Sequence, residues 1–171
     1  MDSGEMERGR GPNGRGAAGG RVIVAGAGPV GLAAALALVR RGVRVTLLEK
    51  RPTLNRASRA STFHPPTLSI LAALGVIDTM LAKGRKAERI QYRRVGAEGR
   101  TERVFADFDL ALLAGETPHP YRIHLEQAAV TPLLLAQLEA SPLAEIRFGA
   151  EATACGTQEG KAGGGKAWVA V

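Results

Sequence analysis

RVIVAGAGPVGLAAALALVRRGVRVTLLEK, residues 21–50, decides the fold of this chain. Val22-Ile23-Val24 is a β-branched run that fits a pleated strand, so a strand is predicted from Arg21 to Ala25. Gly26, Gly28, Pro29 and Gly31 then interrupt the apolar run, and Leu32 to Val39 is rich in Ala and Leu, which favours a helix over about residues 30–41. Gly42 stops that helix, and a second strand follows over residues 44–48, with Glu49 at its tip. Strand, helix and strand within about thirty residues make a βαβ unit, which requires a parallel sheet and a right-handed crossover.

Residues 22–39 also form an uncharged stretch of membrane-spanning length, flanked by Arg21 and Arg40-Arg41. The glycines and proline near its start would break a spanning helix, and its two halves differ in kind. A buried strand followed by a buried helix accounts for both, so no membrane partner is expected.

Gly26-Ala27-Gly28-Pro29-Val30-Gly31 fits the pattern GxGxxG. In a chain with 22 glycines the letters alone are weak evidence. The setting is stronger: the motif leaves a strand, opens a helix and has an acidic residue at the end of the next strand. Gly26 permits the tight turn, Gly28 lets backbone N–H groups approach a pyrophosphate, and Gly31 lets the helix pack closely on the sheet. Pro29 and Val30 open the helix, whose free N–H groups and partial positive charge face the phosphates. Glu49, 18 residues beyond Gly31, is placed to accept hydrogen bonds from both hydroxyls of an adenosine ribose. A carboxylate there repels a ribose 2′-phosphate, an exclusion that Lys50 and Arg51 weaken. The bland alternative is a glycine turn built for packing, with Glu49 merely at the surface. The fold class is therefore α/β, a Rossmann-like domain with a parallel sheet and hairpin additions.

The rest of the chain sets limits. Residues 1–20 hold seven glycines, balanced charges and no apolar periodicity, so they read as a disordered leader. After a polar loop, helices are predicted over about residues 66–74 and 77–82. Strands over 88–95 and 101–108 are joined at Gly96-Ala97-Glu98-Gly99 as a hairpin, and a short strand precedes a helix over 126–140. A strand at 146–148 and an extended pair around residues 160–165 complete the reading. The formal charge of +7 gathers between Lys83 and Arg103, where eight Lys and Arg face three Glu. With only Tyr92 within this stretch and Phe105 just beyond it there is no stacking platform, so a solvated face is expected rather than a nucleic-acid surface. The lone Cys155 suits a reducing cytoplasm, and His64, His119 and His124 are too dispersed for a metal cluster.

Three segments resemble the class A FAD-dependent monooxygenases, the para-hydroxybenzoate hydroxylase-like aromatic hydroxylases. They are Val22–Pro52, with its GAGPVGL core and terminal EKRP; Arg59–Thr67 with Ile70-Leu71 and Leu74-Gly75; and Tyr121–Gln127. The resemblance implies that Arg59 pairs with the FAD pyrophosphate, a role Arg56 could take in its place, and that Gln127 bonds the cofactor near its phosphate and ribityl portion. It spans residues 21–171 and implies that the chain is the N-terminal FAD-binding part of a protein more than twice as long. The Asp-Gly and Gly-Asp motifs and most of the substrate sheet of such proteins lie downstream.

The implied activity is hydroxylation of an aromatic or similar small substrate by oxygen, with FAD as cofactor and NAD(P)H as co-substrate. The flavin carries that chemistry, so no side chain is named as acid, base or nucleophile. Weak binding of the adenosine end of FAD, without turnover, is what this portion alone is expected to show. A nicotinamide-dependent dehydrogenase or reductase and a non-catalytic nucleotide-binding module are the competing readings of the same βαβ unit.

Overall fold

A computed structural model of the chain describes residues 20–57, 60–158 and 166–171. The leader, apart from Gly20, falls outside the described residues, as do Arg59 and the glycine stretch at 160–165. The elements run β1 (Arg21–Ala25), α1 (Pro29–Val39), β2 (Arg44–Glu49), β3 (Thr62–Phe63), α2 (Pro65–Ala73), α3 (Ile77–Lys83), β4 (Arg85–Ala87), β5 (Arg89–Val95), β6 (Thr101–Asp109), β7 (Arg122–His124), α4 (Gln127–Glu139), β8 (Ala144–Phe148), β9 (Ala154–Gln158) and β10 (Lys166–Ala170). A 3-10 turn, Leu110–Leu113, links β6 towards β7.

The parallel sheet has the order β1-β2-β8. Its middle strand explains its own sequence: Val45, Thr46, Leu47 and Leu48 are all buried, because a central parallel strand is covered on both faces. α1 lies along β2 with Leu32, Ala35, Leu36 and Val39 buried, the i, i+3, i+4, i+7 spacing of one helical stripe. That stripe meets Val130, Leu134 and Leu138 of α4 in a core that also takes in Leu68, Leu71, Met80 and Ile123. α1 closes as the sequence requires. Gly42, at φ +79°, sits in the left-handed region, while its N–H donates to the Val39 carbonyl and that of Val43 to Leu38.

One expectation is corrected here. β1 is not a buried strand: Val22 and Ile23 are 38% and 39% exposed. β1 pairs only with β2, so its other edge is bare among the described residues. Ile146 and Phe148 of β8, on the other side of β2, are half-buried.

The remaining strands are antiparallel. β7 is the centre of a small sheet of order β3-β7-β4, β5 and β6 form the expected hairpin, and β9 pairs with β10. β4 was not foreseen as a separate strand. All eight cations between Lys83 and Arg103 are exposed, and several face carboxylates: Arg89 bonds Asp107 and Lys86 bonds Glu88.

Arg40, at the end of α1, ties three helices together. Its guanidinium donates to the Ala73 and Leu74 carbonyls at the end of α2, at 2.5 and 2.9 Å, and to Gln137 Oε1 of α4 at 2.6 Å. Gln137 in turn donates to the Gly75 carbonyl. A cation at a helix C-terminus also meets the negative end of the helix dipole. Arg40→Ala is expected to destabilise the chain by about 1.5–3 kcal/mol, since bonds to a charged donor are lost and carbonyls are left unpaired. Thermal unfolding of Arg40→Ala beside Arg40→Lys checks this; no loss in Arg40→Ala would show that the clamp contributes nothing.

Candidate dinucleotide site

The C-terminal ends of β1, β2 and β8 open onto one cleft of about 670 Å³. Ala25, Gly26, Ala27, Gly28 and Pro29 form one wall, Leu48 to Arg51 the base, and Ala150 to Ala152 the side beyond β8. Gln127 and Thr131 of α4 and Asn55 of the loop complete it. A crevice at the carboxyl ends of parallel strands is where open α/β sheets bind ligands.

The glycine loop is built by backbone geometry. Gly26 has φ +102°, a conformation that a side chain strains, and its N–H donates to the Leu48 carbonyl at 2.6 Å. Gly31 answers to space rather than conformation. A Cβ there would collide with the Gly26 carbonyl oxygen, well inside the 3.0 Å that real Cβ atoms keep, and would lie 3.5 Å from Val24 Cγ1. Gly28 is the opposite case: its φ of −75° suits any residue, and a Cβ would meet no atom within 4 Å. Glycine at 28 therefore keeps open a space that the protein itself does not use. Pro29 begins α1 at the position where its missing N–H costs nothing.

Glu49 closes the base of the cleft from the tip of β2. Its Oε2 accepts from the Ala27 N–H at 2.7 Å and its Oε1 from the Arg51 N–H at 3.0 Å. The carboxylate thus anchors the glycine loop, and the remaining lone pairs of both oxygens stay available to a ligand. Lys50 reaches across to Glu151 at 3.4 Å, an exposed ion pair at the rim.

The structure also joins two segments that the sequence holds far apart. The Gln127 N–H donates to the Ala60 carbonyl at 2.9 Å, and that of Leu125 to Ser61 at 3.0 Å. The chain adjoining Arg59 thereby runs beside the start of α4.

Of the residues singled out in the sequence, Gly26, Gly28, Pro29, Glu49, Lys50 and Gln127 line the cleft together. Val30, which is 80% exposed, and Gly31 belong to the first turn of α1 but not to the lining. Arg59 lies outside the described residues, and Arg56 lines a neighbouring cavity instead. Asn55, Thr131 and Ala150–Ala152 were missed. The signal for the last group was topological: β8 lies beside β2, so the turn after it must lie beside Glu49. The Ala150 N–H does donate to the Glu49 carbonyl, at 2.9 Å.

Two carboxylates are held below the usual range, Asp107 by hydrogen bonds from Arg89 and Gln91, and Glu145 by Arg147; neither lines the cleft. Among the described residues no group of His, Cys, Asp or Glu is placed to hold a metal, and no helix is long and apolar enough to cross a membrane.

The comparisons agree with this geometry. Residues 20–163 match the family model described as FAD binding domain. Over 135 residues the chain is 35% identical to 6-hydroxy-3-succinoylpyridine 3-monooxygenase HspB of Pseudomonas putida (strain DSM 28022 / S16), covering 79% of this chain and 33% of that one. A ternary complex of aklavinone-11 hydroxylase with FAD and aklavinone superposes with a TM-score of 0.71 at 31% identity, over 87% of this chain and 29% of that one. The p-nitrophenol 4-monooxygenase PnpA of Pseudomonas putida DLL-E4 gives 0.69 at 29%, over 85% and 38%. The chain spans about a third of the length of the curated relatives it matches.

Proposed function

We propose that this chain, which belongs to the FAD binding domain family of class A flavin-dependent aromatic monooxygenases, builds the adenosine diphosphate half of the cofactor site of such an enzyme. The whole enzyme then hydroxylates an aromatic or similar small substrate with oxygen, using NAD(P)H as reductant, in a cytoplasmic setting. The observation that carries the reading is the room left at Gly28, above a base formed by Glu49.

These residues would hold an FAD molecule as follows. Backbone N–H groups at the start of α1 meet the pyrophosphate, with no Cβ at Gly28 to hold it off. Glu49 accepts from the adenosine ribose hydroxyls while its other lone pairs remain on Ala27 and Arg51. Gln127 donates from the start of α4 towards the phosphate and ribityl portion, and Arg59 supplies the neutralising cation. When bound, FAD supplies electron transfer from NAD(P)H and activation of oxygen; this chain binds and orients it. No side chain of the cleft is assigned a proton-transfer step.

Titration of the purified chain with FAD and, separately, with NAD⁺ tests the reading. Saturable FAD binding, displaced by ADP and weaker than nanomolar, is the expected result. NAD⁺ binding without FAD binding would move the chain to the nicotinamide-dependent enzymes.

A further inference from the structure

Thr131 lies one helical turn beyond Gln127 on α4, and both residues line the cleft. It is 4% exposed, yet its Oγ1 has no hydrogen-bond partner. A helical threonine can ordinarily relieve such burial by donating to the carbonyl four residues back, here that of Gln127. This one does not. Beside it Pro132, inside the helix, offers no N–H to the Ala128 carbonyl. Thr131 and Asn55 also line a second cavity of about 470 Å³, between Thr53–Arg56 and the Ala128–Pro132 turn of α4. Thr131 and Asn55 therefore stand together where the cleft meets that cavity.

We propose that Thr131 is a further cofactor-contacting residue, whose hydroxyl donates a hydrogen bond to a phosphate or ribose oxygen of the adenosine diphosphate half of the dinucleotide in the cleft. The proposal rests on the reading of the cleft as an FAD site. A phosphate oxygen only accepts, and a neutral hydroxyl only needs to turn its proton to meet it. A ligand oxygen in the cleft would give the hydroxyl the partner that it lacks in the free chain. In the free chain the unpaired group is a cost, and ligand binding removes it.

Thr131→Val keeps the β-branched shape and removes the hydroxyl, whereas Thr131→Ser keeps the hydroxyl. FAD and ADP affinity are to be measured for each variant by titration of the full chain, with thermal unfolding of the ligand-free protein alongside. Thr131→Val is expected to weaken FAD and ADP alike by about tenfold, the scale of one lost hydrogen bond. Thr131→Ser stays near the parent, and ligand-free Thr131→Val melts no lower than the parent. Parental FAD affinity in Thr131→Val overturns the proposal, whatever its melting temperature. Weaker FAD with unchanged ADP overturns the assigned half. Should Thr131→Val fail to fold, Thr131→Ala replaces it under the same criteria. A parent that binds neither ligand overturns the reading of the cleft itself, which is a different failure.

Discussion

Gly31→Ala is expected to unfold this chain at markedly lower temperature, the largest stability effect of any single methyl group added near the site. The added Cβ would be driven into the Gly26 carbonyl oxygen, and the Gly26 carbonyl carbon stands 3.2 Å away. Both are backbone, so no side chain can rotate to relieve the clash. Gly26 is itself fixed by its bond to Leu48 and by a φ only glycine adopts freely. Either α1 lifts from the sheet or the turn is rebuilt, and overpacking of that kind costs about 3 kcal/mol. For a chain of 171 residues this is a fall in Tm of about 6–12 °C. Gly28→Ala is the control: its Cβ enters open space with ordinary backbone angles, so its Tm should match the parent. Equal melting temperatures for all three proteins would mean that α1 does not approach the turn as closely as described.

The largest effect on binding short of closing the cleft is expected from Glu49→Ala. The carboxylate does two things at once. It holds the glycine loop through Ala27 and the following turn through Arg51, and it presents acceptors to the ribose. Hydrogen bonds to a charged group contribute about 1.5–3 kcal/mol each, so losing the ribose contacts and the order of the loop should weaken ADP and FAD binding by about 100-fold. Glu49→Gln, which keeps one acceptor, should fall between the two. Titrations with ADP and with an ADP analogue bearing a ribose 2′-phosphate separate the roles. Removal of the carboxylate should weaken ADP far more than the phosphorylated analogue. A stability loss with unchanged affinity for both would leave Glu49 as a loop anchor only.

The part of the site that the sequence disclosed is the part written in one continuous stretch. Between Arg21 and Glu49, each signal constrains its neighbour: a β-branched run, glycines at fixed spacing, a helix stop, an acid at a strand end. The β5–β6 hairpin was equally legible from its glycine loop. β4 was not, because Arg85-Lys86-Ala87 has no apolar alternation and is a strand only through its pairing with β7. The burial of β1 was misjudged for a related reason. Val22-Ile23-Val24 would read identically at the centre or the edge of a sheet; its neighbours decide, and among the described residues only β2 is there. Asn55, Thr131 and Ala150–Ala152 carry no motif at all. They reach the cleft because β8 lies against β2, and because the chain at Ala60 is hydrogen-bonded to Gln127.

Titrating FAD against the parent chain and Gly28→Val, with the fold of each followed by circular dichroism, tests the central claim most directly. Both proteins should fold alike, because Gly28 faces open space, while the parent binds FAD saturably and Gly28→Val does not. FAD binding to Gly28→Val with parental affinity would show that the cofactor does not lie against the glycine loop, and would contradict the account.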